Sequence, residues 1–365
     1  MRTRRARRRA LRTFPPPEGG KSPQRSGSKT KRTSDQRTAA LALTLVAALV
    51  LAVALTSGAS AVGPYPSLAP CQVFPDPPAS TPPTAPSLAT EAAWNQDVSK
   101  APRDPHSAAY IAYIDSHGGT FLHPDFGSPR PYGFPYAVVD SSQRKLPIHY
   151  AAYGDESDPG PFPVPGAAPV EGGKHSDGDR HVLVVDHSAC KLYELYRAFF
   201  VAKPKPHWNA DSGVAWDLHS GALRPDGWTS ADAAGLPIFP GLVRYDEVIS
   251  GRIEHAIRVT FESTRNAWVH PASHCAGDTA NPSAPPMGLR LRLKASYGLG
   301  GFSGPARAVA EAMQRYGLIV ADNGSNWYIS GSSDRRWDDE NLDQLKQIPG
   351  SAFEVVKSEA PVHAC

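Results

Sequence analysis

Alternation of apolar and polar residues with a period of two dominates the chain, and it commits most of the fold to β-strands. Lys191-Leu-Tyr-Glu-Leu-Tyr-Arg197 alternates without a break, and Asp186-His-Ser-Ala-Cys190 before it reads as a hairpin turn from the strand His181–Asp186. Further strands are expected at Ala137–Asp140, Pro147–Ala151, Val214–Leu218, Ile253–Phe261 and Ala267–His270, then at Gly288–Ala295, Leu318–Ala321, Trp327–Ser330 and Ala352–Val356. Helical signals are fewer. Ser303 as N-cap, Pro305 in the first turn and Gly317 past the end bracket one helix. Asp338–Ile348, stopped by Pro349, is a second, and Ala108–Ser116 and Ser230–Ala234 are short candidates. The expected fold is mainly β (α+β), an antiparallel β-sandwich or barrel-like core with a few peripheral helices.

The chain has 365 residues, and its first sixty are unlike the rest. Met1 to Arg37 carries 13 Lys/Arg against Glu18 and Asp35, and Ala39 to Thr56 carries no charge. Ala59 and Ala61 then supply the small-x-small pattern of a signal-peptidase site, so residues 1–61 read as a secretory signal. A basic stretch this long is compatible with a start codon nearer its end. The alternative is an uncleaved membrane anchor, since the apolar run is near the lower length limit for spanning a bilayer.

Removing the leader's net +11 from a chain of +3 leaves the mature part near −8. An acidic domain lacks the basic footprint that nucleic acid requires, and the Lys/Arg run at Arg2 to Arg12 belongs to the leader. The expected product is secreted, monomeric and free of membrane after cleavage. Residues 62–93, rich in Pro, Ser, Thr and Ala, read as an extended linker that Cys71 ties to the domain, and 94–365 as one globular domain. Gly154 to Gly178 reads as a long surface excursion. Cys71, Cys190, Cys275 and Cys365 imply two disulfides in an exported chain, with three connectivities open.

Candidate chemistry concentrates between Leu223 and Glu247. Glycosidic cleavage needs two carboxyl groups, one protonated and one ionised, across the scissile bond. Asp232, Asp246 and Glu247 are candidates here, and Asp322, at the end of a buried run, is another. Trp228 and Trp216 suit the apolar faces of sugars, while Arg224, Arg244, Asn323 and His181 suit their hydroxyls. The plainer reading makes Ser230-Ala-Asp-Ala-Ala an ordinary capped turn, the Arg–Asp pairs loop ties and Asn323-Gly324 a tight turn. Alternation puts Ile253, His255, Ile257 and Val259 on one strand face, with Glu254, Ala256 and Arg258 on the other. His255 is therefore either a satisfied core histidine or a general base, if a carboxylate orients it.

His270, His274 and Cys275 present a metal-like His-x3-His spacing, but the run before them reads as strand. Asp155-Glu156-Ser157-Asp158 clusters oxygens without an EF-hand pattern. Neither metal nor cofactor is expected. The chain contains no P-loop, GxGxxG, GxSxG or HExxH, which argues against nucleotide-dependent, α/β-hydrolase and zincin chemistry.

Several stretches together resemble a family of uncharacterised exported bacterial and fungal proteins. They are Cys71–Pro75, Gly154–Pro161, Gly178–Val185, Leu223–Pro237 (Leu-Arg-Pro-Asp-Gly-Trp-Thr-Ser-Ala-Asp-Ala-Ala-Gly-Leu-Pro), Pro240–Glu247, Pro285–Ser296 and Tyr316–Ser325. The resemblance implies one exported domain and brings no activity. This chain departs from it at Cys275 and in the tail ending at Cys365. If those are private additions they pair with each other, which leaves Cys71 for Cys190. The functional expectation is a secreted carbohydrate-active enzyme, a glycoside hydrolase or polysaccharide lyase, acting on a polysaccharide or cell-wall glycan. The alternative is a non-catalytic glycan- or cell-wall-binding module.

Overall fold

A computed structural model describes residues 63–365 apart from 70, 82, 83, 85–87, 89–92 and 128–131. The basic leader, the apolar run and the Ala59/Ala61 site lie outside the described residues. The strands, in chain order, are β1 (Tyr136–Val139), β2 (Ile148–Tyr150), β3 (Val182–Asp186), β4 (Lys191–Tyr196), β5 (Phe199–Val201), β6 (His207–Ala210) and β7 (Ser212–Asp217). They continue with β8 (Ile257–Phe261), β9 (Ala267–Trp268), β10 (Arg290–Leu293), β11 (Leu318–Asn323), β12 (Tyr328–Ile329), β13 (Phe353–Val355) and β14 (His363–Ala364). The α-helices are α1 (Ser107–Ser116), α2 (Tyr245–Ile249), α3 (Gly304–Arg315) and α4 (Asp339–Asp343).

The fold is β-rich, and its sheets are mixed and unclosed. They run β1-β3-β4-β7, β12-β8-β11-β10-β13, β2-β6-β5 and β14-β9. Most neighbours are antiparallel, as the alternation implies, but β1 with β3, β2 with β6, and β8 with β11 are parallel. Parallel partners need long crossovers, and a reading strand by strand does not see those.

Burial explains how the sheets stack. β3 is buried along its whole length, yet its side chains alternate in direction. Leu183 and Val185 enter the main core with Leu192, Val214 and Trp216, which also holds Ile257, Val259 and Leu291 of the five-stranded sheet. Val182 and Val184 enter a second core with Tyr193, Leu195, Ile148, Trp208 and Ala210, under the three-stranded sheet. The four-stranded sheet is therefore covered on both faces. The interval 154–178 is a surface excursion at its two ends only, and its middle is buried. Phe162, Val164, Ala168 and Val170 supply part of that second core, and Phe162 bridges Leu146.

The described part of the Pro-rich segment is anchored to the domain. Phe74 is fully buried in the main core and its N–H donates to Leu218 O, while Cys71 bonds Cys190. Helix α3 ends as expected. Gly317 adopts φ +76°, and a Cβ there would lie 2.1 Å from Leu291 O. At its start, however, Asn341 Oδ1, not Ser303, accepts the N–H of Ala306. Residues 230–234 form a turn, held by Ser230 Oγ accepting from Asp232 N–H, and not the short helix expected. α4 is capped by Asp338, which accepts from Glu340 and Asn341 N–H, and passes into a 3-10 turn at Gln344–Gln347.

Both disulfides form, and of the three connectivities open the structure has Cys71–Cys190 and Cys275–Cys365. They span 119 and 90 residues. Non-reducing peptide mapping should recover these two links. Cross-linking loops this long restricts the unfolded chain, so a Cys71→Ala/Cys190→Ala variant should lose about 2–5 kcal/mol in denaturant unfolding. An unchanged midpoint would exclude a stabilising role for that bridge.

Candidate active site

Two groups of the residues singled out above come together. The first is a buried ion network under β8 and β11. Arg258 of β8 donates from Nε and Nη2 to both oxygens of Asp232, at 3.0 and 2.7 Å, and from Nη1 to Ser330 Oγ at 2.7 Å. The alternation places Arg258 on the polar face of a strand that begins at Ile253. The strand in fact begins at Ile257, and Arg258 is sealed under the Phe134 ring. Asp322 reaches the same guanidinium, 3.7 Å from Nη2. The strand register slips between Val320 and Asp322, and a bulge of this kind redirects the following side chain. Asp232 has no exposed side-chain surface, whereas Asp322 is 25% exposed. Burial and the charge on Asp232 push the Asp322 carboxyl up to about 7, although Arg258 opposes them.

His181 belongs to this network. Nδ1 stands 2.5 Å from Glu171 Oε2 and Nε2 2.9 Å from Ala231 O. Burial works against its charge, but the Glu171 carboxylate outweighs burial and carries His181 up to about 9. With both nitrogens used inside the protein, His181 has none left for a ligand.

Sequence reasoning missed Glu194, which alternation alone makes an ordinary polar position on β4. It is fully buried and accepts from Ile238 N–H, Phe239 N–H and Trp216 Nε1–H. Burial lifts its carboxyl to about 7 against those three donors. Its place two residues after Leu192, on the same strand face, was the available signal.

The second group lines a cavity of about 880 Å³ that includes Tyr65, Asn95, Tyr136, Arg244, Glu247 and His255. Helix α2 presents Glu247 from its first turn, and Arg244, just before the helix, donates from Nη2 to Glu247 Oε1 and from Nη1 to Phe239 O. His255 Nε2 lies 3.2 Å from Glu247 Oε2, and Nδ1 lies 2.8 Å from Ala256 O. The orienting carboxylate that a catalytic His255 requires is therefore present. Burial alone would raise Glu247; Arg244 and His255 outweigh it and hold the carboxyl below its usual range. Both His255 nitrogens thus face acceptors of the protein itself, the Glu247 carboxylate and the Ala256 carbonyl. Tyr65 stacks on Tyr136 with ring centres 3.6 Å apart, and its hydroxyl donates to Ser333 O. Asp246 also lines the cavity but is half exposed and paired with Arg336.

The remaining candidates serve elsewhere. Arg224 pairs with Asp158 at 2.8 Å and lies over the Trp228 ring, 5.2 Å from its centre. Trp216 is buried and donates to Glu194, so no ring face is open to a sugar. Asn323 ties loops, accepting from Thr264 Oγ1 and donating to Ala276 O. Glu156 accepts from Thr229 N–H, and Asp158 from Ala215 N–H and Arg224, so these two carboxylates of the run 155–158 are spent on protein contacts. His274 Nδ1 faces Ala233 O and Cys275 is oxidised, so these two do not join His270 in a metal set.

Comparison of the chain with protein-family models, with curated proteins and with solved structures finds no match.

Asp232→Asn leaves Arg258 buried with its main counter-charge gone, and should cost about 3–5 kcal/mol in denaturant unfolding. Asp322 gives a pH signature. Its folded value lies above the ordinary 3.8, so between roughly pH 4 and 7 the folded state holds the extra proton and this group's contribution falls as pH rises. Asp322→Asn should therefore raise the melting temperature at pH 8 relative to wild type by more than it does at pH 4. Equal differences at both pH values would contradict the assignment.

Proposed function

We propose that the chain is a secreted carbohydrate-active enzyme, a glycoside hydrolase or polysaccharide lyase, whose cavity receives part of a polysaccharide or cell-wall glycan. The observation that carries this reading is Glu247, a carboxylate held ionised by Arg244 and His255 at the wall of a ligand-sized polar cavity. An ionised carboxylate is one of the two groups that cleavage of a glycosidic bond calls for, and His255 holds Glu247 in place at the cavity wall. Tyr65, backed by its stack on the buried Tyr136, adds ring surface at the cavity wall. The ion network of Asp232, Arg258 and Asp322 lies outside the cavity lining, and Asp232, being sealed, acts as a positioning residue.

Export is supported by two disulfides and by the acidity of the chain beyond its basic leader. Among the described residues no helix is long and apolar enough to cross a membrane. A sandwich-like description of the core rests on the four- and five-stranded sheets sharing one apolar interior.

Incubating the secreted protein with plant, fungal and bacterial polysaccharides should release soluble products from at least one. On that glycan, Glu247→Gln should slow release about 100-fold or more, with melting curves confirming that the variant folds. Wild-type rates in both Glu247→Gln and His255→Asn would remove the assignment. Glycan binding without product from the wild type would make the chain a binding module instead.

A further inference from the structure

We propose that Asp226, His270 and His363 form a binding site for a zinc-like divalent transition-metal ion. The site is independent of the cavity and of the reading given to it. One donor atom from each of the three side chains lies within 4.8 Å of the other two. His270 Nε2 and Asp226 Oδ1 are already 3.5 Å apart. His270 Nδ1 and His363 Nε2 are buried nitrogens with no hydrogen-bond partner. Buried imidazole nitrogens are costly to leave unmatched, and a cation held by His363 Nε2 and one ring nitrogen of His270, beside Asp226, supplies such a match.

Three separate parts of the chain are held in place to build this cluster. His363 lies on β14, which pairs with β9 so that His363 faces Trp268, and the two rings stack 4.0 Å apart at 7°. His270 follows β9 and packs edge-on to Trp268 and to His363, with centres 5.1 and 5.7 Å away. Asp226 sits in the loop 223–237, fixed against the segment after His270 by Gly227 N–H donating to Ser273 O and Ser273 Oγ donating to Trp228 O. The Cys275–Cys365 bridge anchors the tail two residues beyond His363. Aromatic packing orients both imidazoles, so little side-chain freedom remains to be lost on binding.

The donor set decides the ion. Imidazole favours zinc and its first-row neighbours over calcium or magnesium, which take oxygen ligands. Two histidines and one carboxylate are the ligands of open zinc sites, in which water holds the fourth position. Bonds of about 2.0–2.2 Å draw the three donors inward from their present spacing by side-chain rotation. Asp226 is 57% exposed, which gives the ion an entry path and room for that water. A bound ion would join the C-terminal tail, β9 and the 223–237 loop.

The test uses the untagged secreted protein, dialysed against chelator and titrated with zinc chloride by calorimetry. One ion per chain is expected, with cobalt giving the visible absorption of a tetrahedral site. Asp226→Ala and His363→Ala should each weaken binding about tenfold or more. Asp226 is exposed, so its variant keeps the fold and the test holds even if His363→Ala loosens the tail. Failure to take up stoichiometric zinc, unchanged binding in Asp226→Ala, or equal uptake of calcium would overturn the site.

Discussion

A guanidinium in the interior must be matched where it stands, and at Arg258 the match is the buried Asp232 carboxylate. Arg258 belongs to a core strand, so the partner has to be brought to it. The loop carrying Asp232 is drawn inward, and its later part is fixed by Glu194, which receives the N–H groups of Ile238 and Phe239. Gly241 then passes over the Arg258 stem. A Cβ there would stand 2.6 Å from both Arg258 Cγ and the Trp94 ring, so only glycine fits. The chain leaves this crossing at Arg244, which binds Phe239 O and Glu247 and starts α2. The cavity wall is thus the exit of a loop whose course the buried pair and Glu194 dictate.

How far the sequence discloses this follows from which interactions are local. Side-chain alternation is a property of neighbours, so β3, β4, β7 and β10 are readable, as are the end of α3 at Gly317 and the acidic cap of α4. Strand partnership is not local: β1 joins β3 in parallel, and β2 joins β6, across long connections. The short strands β5, β6 and β14 are set by their partners more than by their own pattern. Phe162 and Val164 look like loop residues among prolines and glycines until the outer face of β3 needs covering.

The same distinction sorts the candidate site. Arg244, Asp246 and Glu247 are close in sequence and arrive together at the start of one short helix, and His255 follows within the same stretch. That group was legible. Asp322 could be named but not placed, because only the slip in register after Val320 aims it at Arg258. His181 and Trp216 looked like ligand contacts because their types suit sugars, while their fates were decided by Glu171 and Glu194. Asp226, His270 and His363 carry no shared spacing at all and meet only through the β9–β14 pairing.

The ion network also shows why Asp322 is the member that keeps a proton. Arg258 is matched by Asp232, and the His181 imidazolium by Glu171, so two cations already face two carboxylates. A third negative charge would stand in a largely dry space with no cation of its own, and Asp232 would repel it. Retaining a proton at Asp322 near neutral pH resolves that excess without moving the backbone. Moreover, the Asp322 side chain reaches solvent where that of Asp232 does not, so the proton can enter and leave while the Asp232–Arg258 contact stays closed. The network can therefore change charge at its edge while the pair that positions the 223–247 loop is untouched.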